Sequence, residues 1–364
     1  MKKILFVNSG FGPGGAEHQC TQLMEMLADV GYEVSTVTFE DIPDHYKLSE
    51  KVSRKRIAPG KPLWQKMLAL EWYLLTTKTE VVFGFSQRMS VLTLFPMLFR
   101  PSIKSVACER NCTIGTPTIF EKILMKTQIY RRADVVVPNS YSQGQYLANK
   151  MPCLKNRIKV VTNYTELDTY NFQPLENHKI TRIGLFCRLE AQKNFHGFIK
   201  MVDALCKQTD QEFVVEWYGA NQFVSSSQTE YFNEGIDLIK KLGLQDKIKI
   251  MGPTNKVSEL IPSFDVLCLP SFKEGFSNSI SEYICCGRPV LCSDVSDNSV
   301  MVHDGENGFL FDPNDQNSMV GAFLKYLNTS QIERTSMCER SRQIAEELFN
   351  KKKFGDSYIE IIEK

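Results

Sequence analysis

Short apolar runs alternate along this chain with longer segments whose apolar residues recur every three or four positions. The first pattern indicates buried strands and the second amphipathic helices, so their alternation favours an α/β fold with parallel sheets covered on both faces. In the first half we predict strands near residues 3–8, 33–39, 80–85, 103–109, 134–139 and 158–163. A second series follows near residues 180–187, 212–219, 248–252, 266–270, 289–293 and 308–311.

The two series of strands indicate two domains. Residues 164–179 between them are polar, contain Pro174 and form the best linker candidate. A chain of 364 residues with 43% hydrophobic content can bury a core in each half. The sequence therefore predicts two doubly wound, Rossmann-like domains with a cleft between them, comprising residues 1–170 and 171–349.

Charge is divided unevenly along the chain, although the net charge is only +1. Residues 1–170 hold 22 Lys and Arg against 15 Asp and Glu, while the remaining residues hold 21 against 27. A basic cluster lies beside the apolar, tryptophan-containing segment 63–72 and consists of Lys51, Arg54, Lys55, Arg56, Lys61 and Lys66. This combination suits a peripheral contact with an anionic membrane. A solvated loop before an ordinary amphipathic helix explains it equally well. No nucleic-acid partner is expected.

Cysteine usage and hydropathy bear on the location of the protein. The eleven cysteines are odd in number and include no C-x-x-C pair, which argues for reduced thiols and against a disulfide framework or a zinc site. The apolar run 91–99 is too short to span a bilayer, and the N-terminal apolar stretch is too brief for a signal peptide. We predict a cytoplasmic protein that works at the inner face of the membrane if the basic first half contacts lipid.

Two carboxylates frame the segment Glu274–Glu282, read E-G-F-S-N-S-I-S-E, directly after the apolar run 266–270. The Ser-Asn-Ser sequence at 277–279 supplies N-cap chemistry, which predicts a helix start at the carboxyl edge of a strand. Helix N-termini bind anions, and open α/β sheets bind ligands at that edge. The segment therefore suits a sugar that carries phosphates, with both carboxylates accepting hydrogen bonds from hydroxyls. A Ser279–Glu282 capping box with Glu274 in a solvated loop is the alternative.

A second charged cluster follows the strand pattern at 180–187. Arg188 and Lys193 flank the turn between this strand and a helix with one apolar face. Arginine can fork two phosphate oxygens and lysine acts as a point charge, so the two residue types together suit phosphates. Either side chain alone would more often be a solvated surface charge, but the pair at one turn indicates a phosphate site.

The glycine-rich segment Gly10–Gly15 follows the first predicted strand and satisfies the pattern G-x-G-x-x-G. With the acidic residues Glu40 and Asp41 after the next strand, it would also suit an NAD-dependent dehydrogenase. Such an enzyme leaves Arg188 and Lys193 unexplained. A tight turn that serves only helix packing is the remaining alternative for the glycines.

Taken together, these motifs resemble glycosyltransferase family 4, whose members are retaining, nucleotide-sugar-dependent enzymes of the GT-B fold. The resemblance spans nearly the whole chain. It rests on Gly12-Pro-Gly-Gly15, Arg188 with Lys193, Pro270-Ser271-x-x-Glu274-Gly-Phe276, Glu282, Gly287-Arg-Pro-Val290 and Asp304-Gly-x-Asn-Gly308-Phe. The C-terminal series is specific because its order and spacing all fit, whereas the glycine turn alone would be weak.

The resemblance implies transfer of a hexosyl or N-acetylhexosaminyl group, with retention of configuration, from a nucleotide diphosphate sugar to a hydroxyl of a glycan or lipid-linked oligosaccharide. The donor is expected to be UDP-linked, and neither a cofactor nor a metal is implied. Arg188 and Lys193 would stabilise the departing diphosphate, and Glu274 would hold the transferred sugar. Glu282 would hold the ribose and Met251 would lie near the base. The full set of implied donor contacts is Gly14, Gly15, Gly275, Phe276, Ser277, Asn278, Ser279, Glu282 and Met251.

The same resemblance assigns a task to each domain. The first domain would bind the acceptor and the second the nucleotide sugar, and a helix at 350–364 would pack back on the first domain. On the acceptor side, Glu109, Arg110 and Asn111 end a predicted strand and resemble the version found in bacterial surface-polysaccharide transferases, where many other relatives have a histidine. Arg110 would hold phosphate or acceptor, and a simple Glu–Arg salt bridge is the alternative.

Two further functions of the same site remain open. A nucleotide-sugar 2-epimerase shares the fold and the donor but needs no acceptor. A non-catalytic partner in a polysaccharide assembly complex would bind a sugar nucleotide without releasing free nucleotide.

Overall fold

The computed structural model of the protein describes residues 2–12, 14–110, 119–126, 128–176, 179–219 and 225–364. The chain forms two compact units. Unit 1 comprises the chain up to Tyr164 together with Lys351–Lys364, and unit 2 comprises Thr165–Asn350. The chain thus leaves unit 1 after Tyr164 and returns to it at Lys351.

Unit 1 is built on a parallel sheet with strand order β3-β2-β1-β4-β5-β6. Its strands are β1 Lys3–Asn8, β2 Glu33–Thr38, β3 Ser53–Arg56, β4 Val81–Gly84, β5 Lys104–Glu109 and β6 Val135–Pro138. Its helices are α1 Gly15–Asp29, α2 Leu63–Thr76, α3 Gln87–Leu94, α4 Ile119–Lys126, α5 Tyr141–Lys150 and the C-terminal α13 Lys351–Glu363.

Unit 2 repeats this arrangement with strand order β12-β11-β10-β7-β8-β9, again parallel. Its strands are β7 Thr181–Phe186, β8 Phe213–Tyr218, β9 Ile248–Gly252, β10 Val266–Leu269, β11 Val290–Ser293 and β12 Gly308–Phe311. Its helices are α6 Phe195–Cys206, α7 Ser226–Lys241, α8 Val257–Leu260, α9 Asn278–Cys285, α10 Asn298–Met301, α11 Gln316–Leu327 and α12 Gln331–Leu348. Numbered within its own unit, each sheet has the order 3-2-1-4-5-6 that defines a doubly wound, Rossmann-like domain.

Unit 1 contains one strand that was not predicted and lacks one that was. Edge strand β3 has the sequence SRKR, which lacks any apolar residue and therefore gave no strand signal, although charge is common on strands at sheet edges. The segment 158–163 forms only an isolated bridge from Ile158 to Val136. Its amides at Lys159 and Val161 donate to β6 carbonyls, but Pro138 at the end of β6 has no N–H with which to continue a regular ladder.

The C-terminal helix α13 completes the core of unit 1. Tyr358 is fully buried, and its ring lies 6.2 Å from Phe83 of β4 and 5.2 Å from Phe354 of the same helix. Phe354 stacks in turn on Tyr164 at 5.4 Å. In the part of the chain that the structure describes, no helix is both long and apolar enough to cross a bilayer.

The strand order of unit 2 creates a natural ligand position. Strands β7 and β10 are neighbours, yet the chain leaves β7 toward β8 on one side and β10 toward β11 on the other. This reversal is a topological switch point, where open α/β sheets leave a crevice outside the carboxyl ends of the strands. The loops that follow β7 and β10, which contain Arg188 and Glu274, therefore lie at this crevice.

Candidate functional site

The loop after β7 places Lys193 by a sharp change of backbone direction. Residues Ala191–Lys193 form one 3-10 turn, and Asn194 then adopts a left-handed conformation with φ of 56° at the start of α6. Asparagine tolerates this conformation better than most residues. The side chain of Asn194 is fixed by donating to the Pro313 carbonyl at 3.1 Å. Lys193 is thus held at the end of a turn that is anchored on both sides.

Two hydrogen bonds join this turn to the loop after β10. The amide of Phe272 donates to the Gln192 carbonyl at 2.9 Å, and the Gln192 side chain donates to the Lys273 carbonyl at 3.0 Å. These bonds bring Lys193 and Glu274 together although they are far apart in sequence. Lys193 Nζ lies 2.5 Å from Glu274 Oε1, and both side chains are nearly buried.

The ion pair determines the charge state of Lys193. Burial alone would lower the pKa of this lysine, but the carboxylate of Glu274 beside it raises the pKa above its ordinary value. Lys193 is therefore a permanent cation at neutral pH. The sequence singled out both residues, but it gave no sign that they pair with each other.

Arg188 differs from Lys193 in its exposure. Its side chain is 61% exposed, and one guanidinium nitrogen lies 2.9 Å from Glu190 within the same turn. Glu190 is itself buried, so it tethers the base of a cation that otherwise reaches into solvent. An exposed, loosely tethered guanidinium can turn to a phosphate without first breaking a buried ion pair.

Helix α9 begins as the sequence predicts. Ser277 is its N-cap residue, and the Ser277 hydroxyl accepts from the Ile280 amide at 3.4 Å. Ser279 instead donates to the Phe186 carbonyl at the end of β7, at 2.9 Å. The alternative Ser279–Glu282 capping box is therefore not the arrangement of this helix start.

The remaining residues of this loop show graded exposure. Phe276 is buried, and its ring packs against that of Phe349 at 6.3 Å. Gly275 and Asn278 are half-buried.

The first turn of any helix presents backbone N–H groups without intrahelical partners, together with the positive end of the helix dipole. This helix start lies at the same crevice as Lys193 and Glu274.

The most informative contact absent from the sequence interpretation joins Glu282 to Tyr170. Glu282 accepts a hydrogen bond from the Tyr170 hydroxyl. Burial raises the pKa of Glu282 to about 7, and this hydrogen bond opposes the increase. The carboxyl group therefore changes charge near neutral pH.

Tyr170 belongs to the segment 165–176 that connects the units, and this segment is fixed to unit 2 by several contacts. Arg342 donates to the carbonyls of Tyr170 at 2.9 Å and of Cys285, at the end of α9, at 2.7 Å. Arg288 donates to the Gln173 carbonyl at 2.8 Å. We term residues 170–173 with these contacts the linker clamp. The sequence signal for Arg288 was its place in the G-R-P-V motif, whereas Tyr170 carried none.

Gly287 contributes to the linker clamp because it has no side chain. Gly287 has a positive φ of 67°, and a Cβ atom there would lie 2.3 Å from the Phe172 ring. Only glycine combines this conformation with this close approach. The motif glycine therefore makes room for the segment that carries Tyr170.

The glycine turn in unit 1 has a definite geometry. Gly14 is the N-cap residue of α1, and its amide donates to the Gly12 carbonyl at 2.9 Å. A Cβ atom on Gly14 would lie 2.0 Å from a carboxylate oxygen of Glu17. Gly14 thus leaves room for Glu17 at a helix start where anions are favoured. Gly15 is the first, exposed residue of the helix.

The acidic residues after β2 do not suit dinucleotide binding. Glu40 lies 2.7 Å from Lys66 and 3.1 Å from Arg88, and these cations lower the pKa of Glu40. Asp41 lies 2.5 Å from Arg56. A ribose-binding carboxylate should have its lone pairs available to hydroxyls, whereas both of these are already paired. This pairing disfavours the dehydrogenase alternative.

On the predicted acceptor side, Glu109 and Arg110 are both buried. Gln87 donates to Glu109 at 2.6 Å, and burial raises the pKa of Glu109 well above its ordinary value. The Arg110 guanidinium lies 4.3 Å from the Phe85 ring and donates to the Tyr358 hydroxyl. Among the described ion pairs none joins Glu109 to Arg110, so the alternative salt bridge is not seen. Asn111 lies outside the described residues.

Met251 is the residue that the resemblance places near the base of the donor. It is exposed on edge strand β9 and lines a groove beside α7 that also includes Ile236 and Lys240. Over the described residues, the lining of this groove contains none of the charged residues of the crevice. No group of three His, Cys, Asp or Glu residues in the described chain is arranged to hold a metal ion.

Comparisons with known proteins agree with this geometry. Residues 168–345 match the family described as glycosyl transferases group 1. The N-acetylgalactosamine-N,N'-diacetylbacillosaminyl-diphospho-undecaprenol 4-alpha-N-acetylgalactosaminyltransferase of Campylobacter jejuni is 25% identical, over 88% of this chain and 88% of its own length. The amylovoran biosynthesis glycosyltransferase AmsD of Erwinia amylovora is 25% identical over 81% of each chain.

Solved structures share the architecture of both units. Sucrose-phosphate synthase from Thermosynechococcus elongatus superposes with a TM-score of 0.83 at 16% identity, covering 99% of this chain and 98% of its own. Anabaena HepE in complex with UDP and glucose gives 0.81 at 19% identity, covering 100% and 99%. These likenesses confirm the predicted two-domain, Rossmann-like GT-B fold. Together with the family match and the relatives, they support a glycosyltransferase.

Proposed function

We propose that this protein is a retaining glycosyltransferase that moves a hexosyl or N-acetylhexosaminyl group from a UDP-sugar to a hydroxyl of a lipid-linked glycan in surface polysaccharide synthesis. One observation carries the proposal. Arg188, the Lys193–Glu274 pair and the start of α9 meet at the switch point of unit 2. Two cations, a helix N-terminus and a carboxylate at one crevice match a ligand with a diphosphate beside a polyhydroxyl ring.

The two cations have separate tasks in the proposed reaction. Negative charge accumulates on the departing diphosphate as the glycosidic bond breaks, and positive groups that are already oriented lower the barrier. Lys193 is held rigidly and Arg188 is free to turn. The oxygen of Glu274 that does not contact Lys193 would accept a hydrogen bond from a hydroxyl of the donor sugar. Such fixed charges would take the place of a divalent metal.

The proposal needs no side-chain nucleophile. In front-face attack the acceptor hydroxyl approaches from the side of the leaving phosphate, and a phosphate oxygen takes the acceptor proton. The bond from the anomeric carbon to the phosphate oxygen breaks while the bond to the acceptor oxygen forms, so configuration is retained. Positioning and electrostatic stabilisation then supply the rate enhancement.

The names of relatives and neighbours support the proposed substrates. The Campylobacter relative is named for transfer of N-acetylgalactosamine to a diphospho-undecaprenol-linked sugar, and the Erwinia relative for biosynthesis of a polysaccharide. HepE was solved with UDP. We therefore propose a UDP-sugar as donor and a polyprenyl-diphosphate-linked glycan as acceptor, with the protein working at the cytoplasmic face of the membrane.

A donor panel tests this function. The purified protein is incubated with UDP- and GDP-sugars in the presence of EDTA, with and without bacterial lipid extract, and release of nucleoside diphosphate is measured. We expect release from one UDP-sugar that lipid extract increases, that EDTA does not prevent and that Glu274→Ala abolishes.

Other outcomes of the panel identify the alternatives. Release without dependence on the extract, together with a new free sugar epimer, would indicate the 2-epimerase. Binding of one donor without any release would indicate the non-catalytic partner. If no donor in the panel released nucleoside diphosphate and the protein bound NAD, the result would indicate the NAD-dependent dehydrogenase suggested by the glycine-rich segment.

Donor affinity should decrease as the pH falls through about 7. The pKa of Glu282 is raised from its ordinary 4.5 to about 7, so the carboxyl group is neutral below that pH and accepts hydrogen bonds from ribose hydroxyls less strongly. By the ionised fraction alone, we expect the Kd for UDP to rise by at most about tenfold between pH 8 and pH 6. Titration calorimetry at both pH values measures it.

Two variants isolate the contribution of Glu282. In Glu282→Gln the difference in Kd between the two pH values should shrink to that caused by ionisation of the nucleotide itself. In Tyr170→Phe the hydrogen bond that lowers the pKa of Glu282 is lost, so the midpoint should move to higher pH. An unchanged pH dependence in Glu282→Gln would exclude this carboxyl group from the donor site.

A further inference from the structure

Helix α2 carries an apolar stripe on its solvent-facing side. Trp64, Leu68, Trp72 and Leu75 are 60%, 62%, 70% and 57% exposed. Their spacing of four, four and three residues places all of them on one face of the helix. Large apolar side chains are normally exposed singly, and a contiguous group of them marks an interaction surface.

This stripe is not needed for the core of unit 1. The opposite side of α2 already buries Leu70 and Leu74 in the cluster that includes Leu5 and Val82. A fifth exposed apolar residue lies close by, since Phe99 is 79% exposed and ends the 3-10 turn Pro96–Phe99, which packs beside α2. We call Trp64, Leu68, Trp72, Leu75 and Phe99 the α2 apolar face.

The structure changes the interpretation of the neighbouring basic cluster. Lys51 is paired with Asp29, Arg54 with Asp44, Arg56 with Asp41 and Lys66 with Glu40. Four of its six cations are therefore compensated. The membrane contact suggested by the sequence cannot rest mainly on this positive charge.

Cations nevertheless border the α2 apolar face. Lys61 is exposed just before the helix and Lys78 just after it. The one acidic residue on this side of the helix, Glu71, is neutralised by two hydrogen bonds from Arg100 at 2.7 and 2.9 Å. An apolar strip with lysines at both ends, whose one glutamate is paired with an arginine, is complementary to an anionic phospholipid surface.

We propose that α2 lies flat in the headgroup region of an anionic phospholipid bilayer, with the α2 apolar face inserted. The 14 residues of the helix span about 21 Å, and tryptophan is favoured at membrane interfaces. The proposal names the membrane partner of the proposed transferase and rests on that function only in its choice of a lipid-linked acceptor. Insertion of apolar side chains, more than attraction of charges, provides most of the binding.

The tryptophans provide a direct probe of insertion. The chain contains three, and the third, Trp217, is fully buried in unit 2. In the full-length Trp217→Phe variant all tryptophan fluorescence therefore comes from α2. On addition of vesicles of phosphatidylglycerol and phosphatidylethanolamine, without any sugar nucleotide, we expect a blue shift of the emission and quenching by brominated acyl chains. Pure phosphatidylcholine vesicles should bind more weakly.

A matched pair of variants tests the location of the contact. Trp64→Gln with Trp72→Gln in the otherwise native chain should lower the partition coefficient in vesicle co-sedimentation by about a hundredfold, roughly tenfold for each side chain withheld from the lipid. Ile332→Gln removes an apolar side chain of α12 in unit 2 that is even more exposed than either tryptophan and should leave binding unchanged. Raising NaCl to 0.5 M should weaken wild-type binding without abolishing it.

Three results would overturn the proposal. The first is the absence of a blue shift or quenching with anionic vesicles. The second is equal loss of binding in the Ile332 control. The third is a concentration-dependent dimer in sedimentation velocity that Trp64→Gln with Trp72→Gln abolishes, which would assign the α2 apolar face to a second copy of the chain. Because no donor is present, failure of the proposed glycosyltransferase activity would not alter the vesicle result.

Discussion

Arg188→Ala should lower the turnover number for sugar transfer by about 10²–10³, the effect of removing one preorganised donor to the charge that develops in a transition state. The Arg188 guanidinium is largely exposed, and its one ion pair among the described residues is with Glu190, so its loss leaves the core of unit 2 intact. We expect the thermal midpoint of unfolding to change little. Initial rates at saturating donor, with differential scanning fluorimetry on the same sample, measure both effects.

Arg188→Lys separates charge from geometry in this test. Lysine keeps the positive charge but cannot fork two phosphate oxygens, so its turnover should lie between those of the wild type and Arg188→Ala. Arg340→Ala removes a partly exposed arginine that pairs with Glu306 on another surface of unit 2 and should retain full turnover. Near-normal turnover in Arg188→Ala would remove this residue from the proposed mechanism.

Lys193→Met should damage both stability and activity. It leaves Glu274 as a nearly buried carboxylate without its cation, and breaking a buried ion pair from one side costs about 3–5 kcal/mol of the free energy of unfolding. It also removes a cation from the proposed diphosphate position, which should lower turnover by about 10² or more. Urea unfolding and initial rates measure the two losses separately.

The double variant Lys193→Met with Glu274→Gln shows which loss is structural. Replacing both charges removes the unpaired carboxylate, so most of the free energy of unfolding should return. Turnover should stay low, because neither the cation nor the carboxylate proposed to bind the sugar is restored. If turnover returned together with stability, the pair would be a structural feature of the loop and not part of the catalytic site.

The fold was readable from the sequence because its strands are buried in parallel sheets. Strands such as β6 and β10 are continuous apolar runs between helices with one apolar face, and this pattern can be recognised without any knowledge of tertiary contacts. Edge strand β3 was not predicted, because it contains no apolar residue. A strand that is half solvated and paired on one side only can be made entirely of charged and polar residues.

Only some residues of the candidate site could be predicted from the sequence. Motif residues such as Arg188 and Glu274 could be named because their residue types and spacing suit phosphates and hydroxyls. The hydrogen bond from Tyr170 to Glu282 could not be found in this way, since it joins positions more than a hundred residues apart, and one of them lies in a polar segment without periodicity. Contacts between loops depend on how the sheet brings their ends together, which residue spacing does not encode.

The linker clamp also determines where the chain can be cut and rejoined. Residues 170–173 are held by hydrogen bonds from Arg288 and Arg342. The Tyr170 hydroxyl in turn donates to the side chain of Glu282 on α9. A chimera that takes its C-terminal half from this protein must therefore begin at Thr165, because a junction after the clamp would separate Glu282 from its native partner. The linker and α9 form one exchangeable module, and recombination between related genes should preserve them together.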